Sequence, residues 1–403
     1  MSVRRIVEAS RRGAVIAAWA FPMAACVEGD KGRGEQDSSA SASVPYAVPL
    51  AGCEQHHTAP ITIGGQEFNV WIDSGSGTLA VSATGCSACE SEGVTALYDT
   101  DHGQVAGGIV RAEYGYETGE TRWFGRVYED SVAFAGVPSV SLKFAAVMDQ
   151  GTGMFGTWWC DAVPTPIDGI LGLGPRDLAH WPAEAYSSAL RRDAGVPRTF
   201  AMRYCHTGGT LWFGGYDDAA ILGGMAFVPL EDIIQDAVEV TAVELEAADG
   251  LSTVVSVSDD AESLPAALDS GDNYIILPVA AYDAVLAALR AVPVYAALEE
   301  QGGASEMSPS ELDAALPTLV FDLTGPPAAQ VRLPATASYV SWWRTSDGGY
   351  QYYGLLRSDA ELPDQYSDLV VLGNSPMYSY VVYTDRENDR VGFAPAAPCE
   401  EEE

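Results

Sequence analysis

Hydrophobic residues occur along the chain in short runs separated by glycine, proline and aspartate, a pattern typical of strands joined by tight turns. The runs predict strands at residues 59–63, 68–72, 139–147, 210–213, 238–245, 253–257 and 380–383. Helical periodicity is best at residues 182–192 and 279–292, each with a proline at or near its start. The pattern therefore predicts an all-β class, mostly strands with short helices.

One sequence element occurs twice. Apolar residues lead into Asp-Ser-Gly at residues 73–75 and again at residues 269–271. Each occurrence is followed, at nearly the same distance, by two apolar residues and a glycine, at 170–172 and at 371–373. A repeat at matched spacing predicts two homologous β-rich lobes.

The length of the chain suits two lobes. Its 403 residues exceed what one hydrophobic core commonly holds. We place the N-terminal lobe at residues 46–229 and the C-terminal lobe at residues 230–403. The net charge of −35 opposes contact with phosphate backbones and excludes nucleic-acid partners. The acidity mainly provides solubility, and an acidic medium, where carboxylates lose charge, would also be tolerated.

The first 25 residues have the features of an export signal. Four arginines among the first twelve residues precede an apolar run at residues 14–25, which is short for a membrane span. Residues 23–26, Met-Ala-Ala-Cys, resemble the lipobox of bacterial lipoproteins, in which the cysteine, here Cys26, is lipidated and becomes the new N-terminus. The alternative is an ordinary signal peptide cut near Ala25.

Residues 26–45 contain almost no apolar side chains and predict a disordered spacer. Such a spacer would hold a lipid-anchored domain away from a bacterial membrane. We therefore expect an exported protein, periplasmic or on the outer surface. Membrane contact would be through the lipid anchor at most.

The cysteine count also indicates export. Seven cysteines are present, and setting Cys26 aside for lipid leaves an even number that allows three disulfides. Cys86 and Cys89 have the spacing of a metal or redox pair. However, no second close pair or nearby histidine completes a zinc site, and a redox motif would need a βαβ context. A short structural disulfide is the better interpretation.

An aspartate that lies at the end of a strand and begins an Asp-Ser-Gly turn can take part in acid–base chemistry. Glycine lets the backbone turn sharply, and the serine can bond across to a partner loop. Two such loops would bring Asp73 and Asp269 together, and because like charges that close cannot both ionise, the pair would share one proton. The ionised member can take a proton from water while the other donates to a carbonyl. This chemistry needs no metal and no cofactor.

Four sequence blocks resemble the pepsin family of aspartic peptidases. They are spread over most of residues 46–395 and comprise residues 68–76, 168–174, 267–271 and 370–394. The resemblance implies a bilobal pepsin-like fold with a central cleft and a flap. It implies a monomeric aspartic endopeptidase with catalytic Asp73 and Asp269, acting on an extended peptide or unfolded protein, with an acidic pH optimum.

The flap of this family is a hairpin whose tip tyrosine holds substrate over the cleft. Residues 116–119, Tyr-Glu-Thr-Gly, fit the flap turn, so we predict Tyr116 as this tyrosine, with Tyr114 as the alternative. For either residue, the structural alternative is a strand tyrosine packed on its neighbours. The other predicted substrate-binding residues belong to the two active-site motifs: Gly75, Ser76, Gly271 and Asp272.

Three positions depart from the family pattern. The third residue after each aspartate is usually Ser or Thr; Ser76 fits, whereas Asp272 would oppose ionisation of Asp269 or stay protonated as a donor. On this basis the sequence predicts that Asp272→Thr extends activity toward neutral pH. Ala80 replaces a tryptophan, so the first pocket is either wider or filled from elsewhere. Asn374 replaces an aspartate.

The resemblance also implies a disulfide scheme. Plant members of the family pair the cysteines equivalent to positions 160 and 205, and the close pair is joined by similar position. The two remaining cysteines would tie together the ends of the folded region. The predicted bonds are Cys160–Cys205, Cys86–Cys89 and Cys53–Cys399.

A non-catalytic pepsin-fold protein that binds peptides or proteins is the main competing interpretation. The presence of both aspartates favours an enzyme, whereas Asp272 and Ala80 favour the binding protein. His56 and His57 are adjacent, and neighbouring strand residues point in opposite directions, so we expect no joint metal site. The two motif serines lack the Gly-x-Ser-x-Gly context of serine hydrolases.

Overall fold

The computed structural model describes residues 44–399, with gaps at 54–55, 115–120, 161–162, 233–234, 259–261, 326–327 and 362–368. The predicted signal peptide, Cys26 and nearly all of the spacer therefore lie outside the described residues. The described part is mostly β, with large sheets and short helices, and this confirms the predicted pepsin-like fold class.

Thirteen strands lie in the N-terminal half: β1 (Tyr46–Cys53), β2 (Thr58–Ile63), β3 (Gln66–Asp73), β4 (Leu79–Ser82), β5 (Gln104–Glu113), β6 (Arg122–Phe134), β7 (Val140–Gln150), β8 (Gly156–Cys160), β9 (Val163–Ile167), β10 (Gly169–Gly172), β11 (Thr199–Tyr204), β12 (Thr207–Phe213) and β13 (Ala226–Pro229). The following strands are β14 (Glu231–Asp232), β15 (Asp236–Glu246), β16 (Ser252–Ser256), β17 (Leu264–Ala267), β18 (Ile275–Leu277), β19 (Ala304–Ser305), β20 (Thr318–Leu323), β21 (Ala329–Leu333), β22 (Val340–Arg344), β23 (Tyr350–Gly354), β24 (Leu356–Ser358), β25 (Val370–Val371), β26 (Tyr380–Asp385) and β27 (Arg390–Pro395).

These strands form two large sheets. The first has the order β13-β27-β26-β11-β12-β1-β2-β3-β10-β4-β7-β6-β5. The second has the order β21-β20-β15-β17-β25-β18-β24, with β14 and β16 also paired to β15. Smaller sheets are β19-β23-β22 and the hairpin β8-β9. Because β26 and β27 come from the C-terminal end but lie in the first sheet, the two halves are joined through continuous strand pairing.

The strand that leads to the first motif shows how the sequence selects its structure. In β3, Phe68, Val70 and Ile72 are buried, whereas Asn69 and Trp71 between them are only partly so. This alternation has the period of a strand, with one face toward the core. Burying each of these apolar side chains stabilises the fold by about 1.5–3 kcal/mol, which fixes the register of the strand and hence of the aspartate at its end.

Both halves present their motif in the same way. β3 ends at Asp73 and pairs in parallel with β10, where Gly172 lies opposite Asp73. β17 leads toward Asp269 and pairs in parallel with β25, where Val371 lies opposite Ala267. The repeated sequence element therefore corresponds to a repeated unit of the fold, as its spacing predicts.

The helices are short: α1 (Ser87–Ser91), α2 (Tyr186–Ala194), α3 (Val279–Arg290), α4 (Pro293–Glu300), α5 (Pro309–Ala315) and α6 (Ser375–Ser379). The helix predicted from residue 182 begins later because Ala185 still has an extended backbone. The helix predicted to reach residue 292 ends at Arg290, since Val292 precedes a proline and is extended. Among the described helices none alone is long and apolar enough to cross a membrane, and α3 with α4, bent by 95°, is the one pair that meets that test together.

The predicted disulfide scheme is only partly right. Cys86–Cys89 is present, with Cα atoms 5.3 Å apart, and is confirmed. The predicted Cys160–Cys205 and Cys53–Cys399 are wrong. The structure instead contains Cys53–Cys160 and Cys205–Cys399.

Local packing explains this exchange of partners. His56, just beyond the end of β1, stacks on Trp158 of β8 with ring centroids 4.0 Å apart, which brings the end of β1 beside Cys160. Cys205 lies at the turn between β11 and β12, where the guanidinium of Arg203 donates to the carbonyl of Ala397. The C-terminal end of the described chain is thereby held next to Cys205.

Candidate active site

The loops that follow β3 and β17 face each other and are tied by reciprocal hydrogen bonds. The amide of Ser74 donates to the hydroxyl of Ser270, and the amide of Ser270 donates to the hydroxyl of Ser74, both at 2.8 Å. Each hydroxyl then donates to the opposite strand at 3.0 Å, Ser74 to the carbonyl of Leu268 and Ser270 to that of Ile72. Because all four bonds are buried, they hold the two loops in one fixed relation.

This relation brings Asp73 and Asp269 together. The amide of Gly75 donates to Asp73 Oδ1 at 2.8 Å, and the amide of Gly271 donates to Asp269 Oδ1 at 2.9 Å. Each glycine also lies against the opposite carboxyl: a Cβ at Gly75 would overlap Asp269, and a Cβ at Gly271 would lie 2.6 Å from Asp73 Oδ1. Both positions therefore need glycine to let the two carboxyls approach each other.

The two carboxyls compete for protons. Burial is the largest cause that raises the pKa of each. The pKa of Asp269 is raised well above its usual range because the charges of Asp73 and Asp272 add to the effect of burial. For Asp73, the hydroxyl of Ser76 and the amide of Gly75 favour the charged form and oppose the rise in pKa. The pair therefore holds a proton most readily on Asp269, with Asp73 as the ionised partner.

Asp272 lies in the same loop as Asp269. Its amide donates to the carbonyl of Asp269 at 3.2 Å, and its Oδ1 accepts from the amide of Tyr274 at 2.8 Å. Its carboxylate is near enough to raise the pKa of Asp269 by like-charge repulsion. Of the two roles that the sequence leaves open for Asp272, opposition to the ionisation of Asp269 is the one that agrees with the raised pKa of Asp269.

One of the two candidate flap tyrosines lies at the site. Tyr116 lies outside the described residues, whereas Tyr114 directly follows β5 in the β5–β6 hairpin, where its amide donates to the carbonyl of Thr121 at 2.8 Å. Burial raises the pKa of Tyr114, and the charges of Asp73 and Asp269 raise it further, while its hydroxyl also lies beside that of Ser76. The phenol of Tyr114 is therefore close to both carboxyls.

A tryptophan from another strand shares the buried cluster that contains Ala80. Trp123, on β6, is 1% exposed and belongs to the same buried cluster as Ala80, Ile167 and Ile170. Its Nε1 donates to the hydroxyl of Tyr114 at 3.1 Å. The pocket is thus filled from elsewhere, which is one of the two outcomes that the sequence allows, and the same ring holds Tyr114 in place. The sequence could have indicated this role for Trp123, because Trp123 lies shortly after the predicted flap turn at residues 116–119.

A second residue that the sequence analysis missed lies under the two loops. Tyr204 ends β11 and is fully buried, and its ring stacks on His57 at 3.7 Å with an interplanar angle of 8°. Burial raises the pKa of Tyr204, the hydroxyl of Ser270 lowers it, and Asp73 and Asp269 raise it. Tyr204 therefore supports the floor of the site. A buried tyrosine at a strand end carries no sequence signal that distinguishes it from core.

The two adjacent histidines pack against different rings. His56 lies against Trp71 and Trp158, whereas His57 lies against Tyr204 and donates from Nε2 to the carbonyl of Cys205 across 3.2 Å. Within the described part of the chain, no group of three or more His, Cys, Asp or Glu side chains is arranged to hold a metal ion.

Comparisons with known proteins identify the class that this fold and site define. The model of the family described as "Eukaryotic aspartyl protease" matches residues 56–396. The chain is 28% identical over 347 residues to an "Aspartic protease" of Phaffia rhodozyma, covering 85% of this chain and 77% of that protein. It is 26% identical over 340 residues to "Pepsin-2B" of Gadus morhua, covering 82% and 93%, and 24% identical over 355 residues to "Pepsin A" of Callithrix jacchus, covering 85% and 81%.

The chain belongs to the eukaryotic aspartyl protease family, since the family model covers far more than half of its length. It is accordingly a hydrolase of peptide bonds. The bacterial part of the sequence-based expectation receives no support from these comparisons, because the matched family and the relatives named above are eukaryotic.

Proposed function

We propose that Asp73 and Asp269 are the catalytic pair with which this aspartic endopeptidase hydrolyses peptide bonds. The observation that carries the proposal is the reciprocal clamp of Ser74 and Ser270, which fixes two buried carboxyls in mutual contact with the opposite glycines. A buried pair whose pKa values are pushed apart is suited to acid and base roles in one reaction.

In the proposed mechanism, ionised Asp73 takes one proton from a water molecule held between the carboxyls. The oxygen of that water attacks the scissile carbonyl carbon while Asp269 donates its proton to the carbonyl oxygen. The tetrahedral intermediate then collapses: its C–N bond breaks, the leaving nitrogen receives the proton held by Asp73, and the hydroxyl proton returns to Asp269. The pair ends with one proton, as it began.

We propose that substrate binds as an extended peptide in a cleft between lobes divided near residues 229 and 230. The division is supported by the end of β13 at Pro229 and the change to the second sheet at β14. Gly75 and Gly271 would border the peptide next to the carboxyls. The hydrogen bond from Trp123 and the closeness of Tyr114 to both carboxyls support Tyr114 as the flap tyrosine, so we prefer it to Tyr116.

Trp123→Phe should lower kcat/KM by about fivefold, because it removes one hydrogen bond that orients Tyr114, a loss of about 1 kcal/mol. The effect should appear in both kcat and KM while the melting temperature changes modestly. Trp212→Phe is the matched control: Trp212 is also buried but lies in β12, in a different cluster. Equal loss of activity in the two variants would contradict a positioning role for Trp123.

Asp272→Thr should move the alkaline limb of the kcat/KM profile toward acid. The charge of Asp272 raises the pKa of Asp269, so its removal lets the shared proton leave at lower pH, and a threonine hydroxyl would further favour the charged form. This reverses the direction expected from the sequence alone, because the alkaline limb reports loss of that proton. The whole profile is the readout, since the pair titrates together. A limb that moves toward neutral pH or stays unchanged would refute this role.

The competing hypothesis is that the protein binds peptides without catalysis, and it predicts a different result for the aspartate variants. Such a protein would hold peptides without cleaving them and would bind equally well when either aspartate is replaced. The buried, proton-sharing geometry of Asp73 and Asp269 favours catalysis, since binding alone does not require two carboxyls to be forced together at a cost in desolvation.

The three disulfides support a location of the folded part of the chain in an oxidising compartment outside the cytosol. We propose in addition that Cys26 is lipidated and anchors the protein to a membrane, with residues 26–45 as the spacer. Mass spectrometry of the mature N-terminus tests this. The expected product begins at Cys26 and carries an acylated diacylglyceryl group, and an unmodified Cys26 after a cut near Ala25 would contradict it.

A further inference from the structure

Residues 178–182 form a short segment that lies between the loop joining β3 to β4 and the β5–β6 hairpin. At the loop, a Cβ placed on Gly77 would lie 2.7 Å from the amide nitrogen of Ala179. At the hairpin, a Cβ placed on Gly107 would overlap the ring of Pro182. These close approaches require glycine at both positions, and through them the segment contacts the loop and the hairpin at once.

His180, in the middle of this segment, is bound to Thr78 in two ways. Its amide donates to Thr78 Oγ1 at 2.9 Å, and Nδ1 of its ring forms a second hydrogen bond with the same oxygen at 3.0 Å. Thr78 is fully buried and lies five residues after Asp73. The backbone of Thr78 is also fixed, because its carbonyl accepts from the amide of Gly172 at 3.2 Å. The ring of His180 is therefore attached to the loop that carries Asp73.

The attachment of His180 holds in both protonation states of the ring. Burial lowers the pKa of His180, so its ring stays neutral to lower pH than that of an exposed histidine. A hydroxyl has one proton and two lone pairs, and the amide of His180 uses one lone pair of Thr78. The hydroxyl can donate to Nδ1 of the neutral ring, and its second lone pair can accept from Nδ1 of the charged ring.

The other side of the His180 ring contacts the tryptophan that holds Tyr114. The rings of His180 and Trp123 meet edge to face, with centroids 5.7 Å apart and an interplanar angle of 66°. Nε1 of Trp123 donates to the hydroxyl of Tyr114 at 3.1 Å. An aromatic contact of this kind restricts how the indole can turn. His180 therefore limits the directions in which Trp123 can point its N–H group.

These contacts form a path that starts and ends on the loop between β3 and β4. The hydroxyl of Tyr114 lies beside that of Ser76, which favours the charged form of Asp73. From Tyr114 the path continues through Trp123 and His180 and returns to the loop at position 78, two residues after Ser76. The loop that carries Asp73 thus holds Tyr114 from two sides.

We propose that His180, anchored by Thr78, is a positioning residue that acts through Trp123 to hold Tyr114 over the catalytic pair. None of the contacts described above joins His180 to either carboxyl, so its action is indirect. Residues 78 and 180 also lie outside the four sequence blocks that resemble the family. The kinetic consequence rests on the proposed catalytic function, whereas the placement of Tyr114 can be measured without catalysis.

Two replacements of His180 separate its two contacts. His180→Phe keeps a ring against Trp123 but loses the side-chain bond to Thr78, and His180→Asn keeps an acceptor for Thr78 but loses the ring. Each should lower kcat/KM about fivefold, the usual effect of one lost contact. The loss should appear in KM as well as kcat, whereas partial unfolding would lower the apparent kcat alone. When Trp123→Phe is already present, His180→Asn should cost less than twofold, because both changes act on the same path.

The anchor is tested at Thr78. Thr78→Val removes the hydroxyl that both groups of His180 contact, so it should lower kcat/KM at least fivefold. Thr78→Ser keeps the hydroxyl and should restore kcat/KM to within twofold of wild type. Thr384→Val is the matched control, since Thr384 is also buried but lies in β26. It should leave kcat/KM unchanged even where it lowers the melting temperature.

Amide hydrogen exchange followed by mass spectrometry gives a readout that needs no cleavage. The amide of Tyr114 donates to the carbonyl of Thr121 at 2.8 Å, so residues 109–114 should exchange about fivefold faster in His180→Asn, while β26 exchanges as in wild type. This result would support the positioning role even if wild type cleaved no peptide, an outcome that would refute the catalytic pair instead. Unchanged exchange at residues 109–114, full additivity with Trp123→Phe, or an equal loss of activity in Thr384→Val would overturn the proposal.

Discussion

Replacing Asp73 or Asp269 by asparagine is expected to lower kcat/KM for peptide hydrolysis by about 10⁴-fold, since each variant removes a proton acceptor or donor from the reaction. Asparagine keeps the size of the side chain and its hydrogen bond from the following glycine, Gly75 or Gly271. The fold should therefore be retained, and the melting temperature should not fall, because burial and mutual repulsion oppose the charged forms of both carboxyls. Steady-state kinetics with a fluorogenic peptide gives the measurement.

Asp283→Asn provides the control for these variants. Asp283 is exposed on α3 and belongs to neither motif. Its replacement should leave kcat/KM unchanged. Activity within a few-fold of wild type in either motif variant would remove that aspartate from the mechanism, whereas an equal loss in all three proteins would point to a defect of preparation.

His56→Phe should make the protein markedly more resistant to acid. Burial, with a smaller contribution from the charge of His57, lowers the pKa of His56 from 6.5 to about 3. Between these values the unfolded chain binds a proton that the folded chain does not, so stability falls as the pH drops from 6.5 toward 3. At 1.36 kcal/mol per pKa unit, the full penalty near pH 3 is about 4–5 kcal/mol. Phenylalanine keeps a ring between Trp71 and Trp158 but cannot bind the proton.

Urea unfolding across this pH range measures the effect as the difference in stability between variant and wild type. The difference should be small near neutral pH and should grow steadily toward acid. His102→Phe is the control, since His102 is exposed and pairs with Asp99 at the surface. A stability difference that is independent of pH would show that His56 does not carry this penalty. For an enzyme that works in acid, His56 would set the lower limit of the usable pH.

The motif geometry could be predicted from the sequence because it depends on local and repeated features. The apolar period of two in β3 fixes which residues face the core, and a continuous apolar run at residues 266–268 precedes Asp269. The later apolar-apolar-glycine element supplies a parallel partner strand in each half. Each sequence element alone is weak evidence for a fold. Only one arrangement of strands accommodates both copies of the repeat, and that arrangement places the two aspartates face to face.

The features that could not be predicted depend on contacts between distant segments. With Cys86–Cys89 set aside, four cysteines allow three connectivities, and the stack of His56 on Trp158 that selects Cys53–Cys160 has no sequence signature. Similarly, Trp123 joins the buried cluster of Ala80 from β6, although β7 separates the two strands in the sheet. A substitution that looks like a loss in one motif is thus compensated elsewhere, and a motif-by-motif comparison does not reveal the compensation.

In the proposed mechanism, the buried pair of Asp73 and Asp269 makes this chain an endopeptidase. The most direct test incubates the purified full-length protein and its Asp73→Asn variant with a mixed peptide library from about pH 3 to pH 7, the range over which such a pair changes its protonation. Mass spectrometry should find internal cleavages with wild type, most at the acidic end, and none with the variant. Intact peptides at every pH with folded wild-type protein, or the same cleavages with both proteins, would contradict the claim.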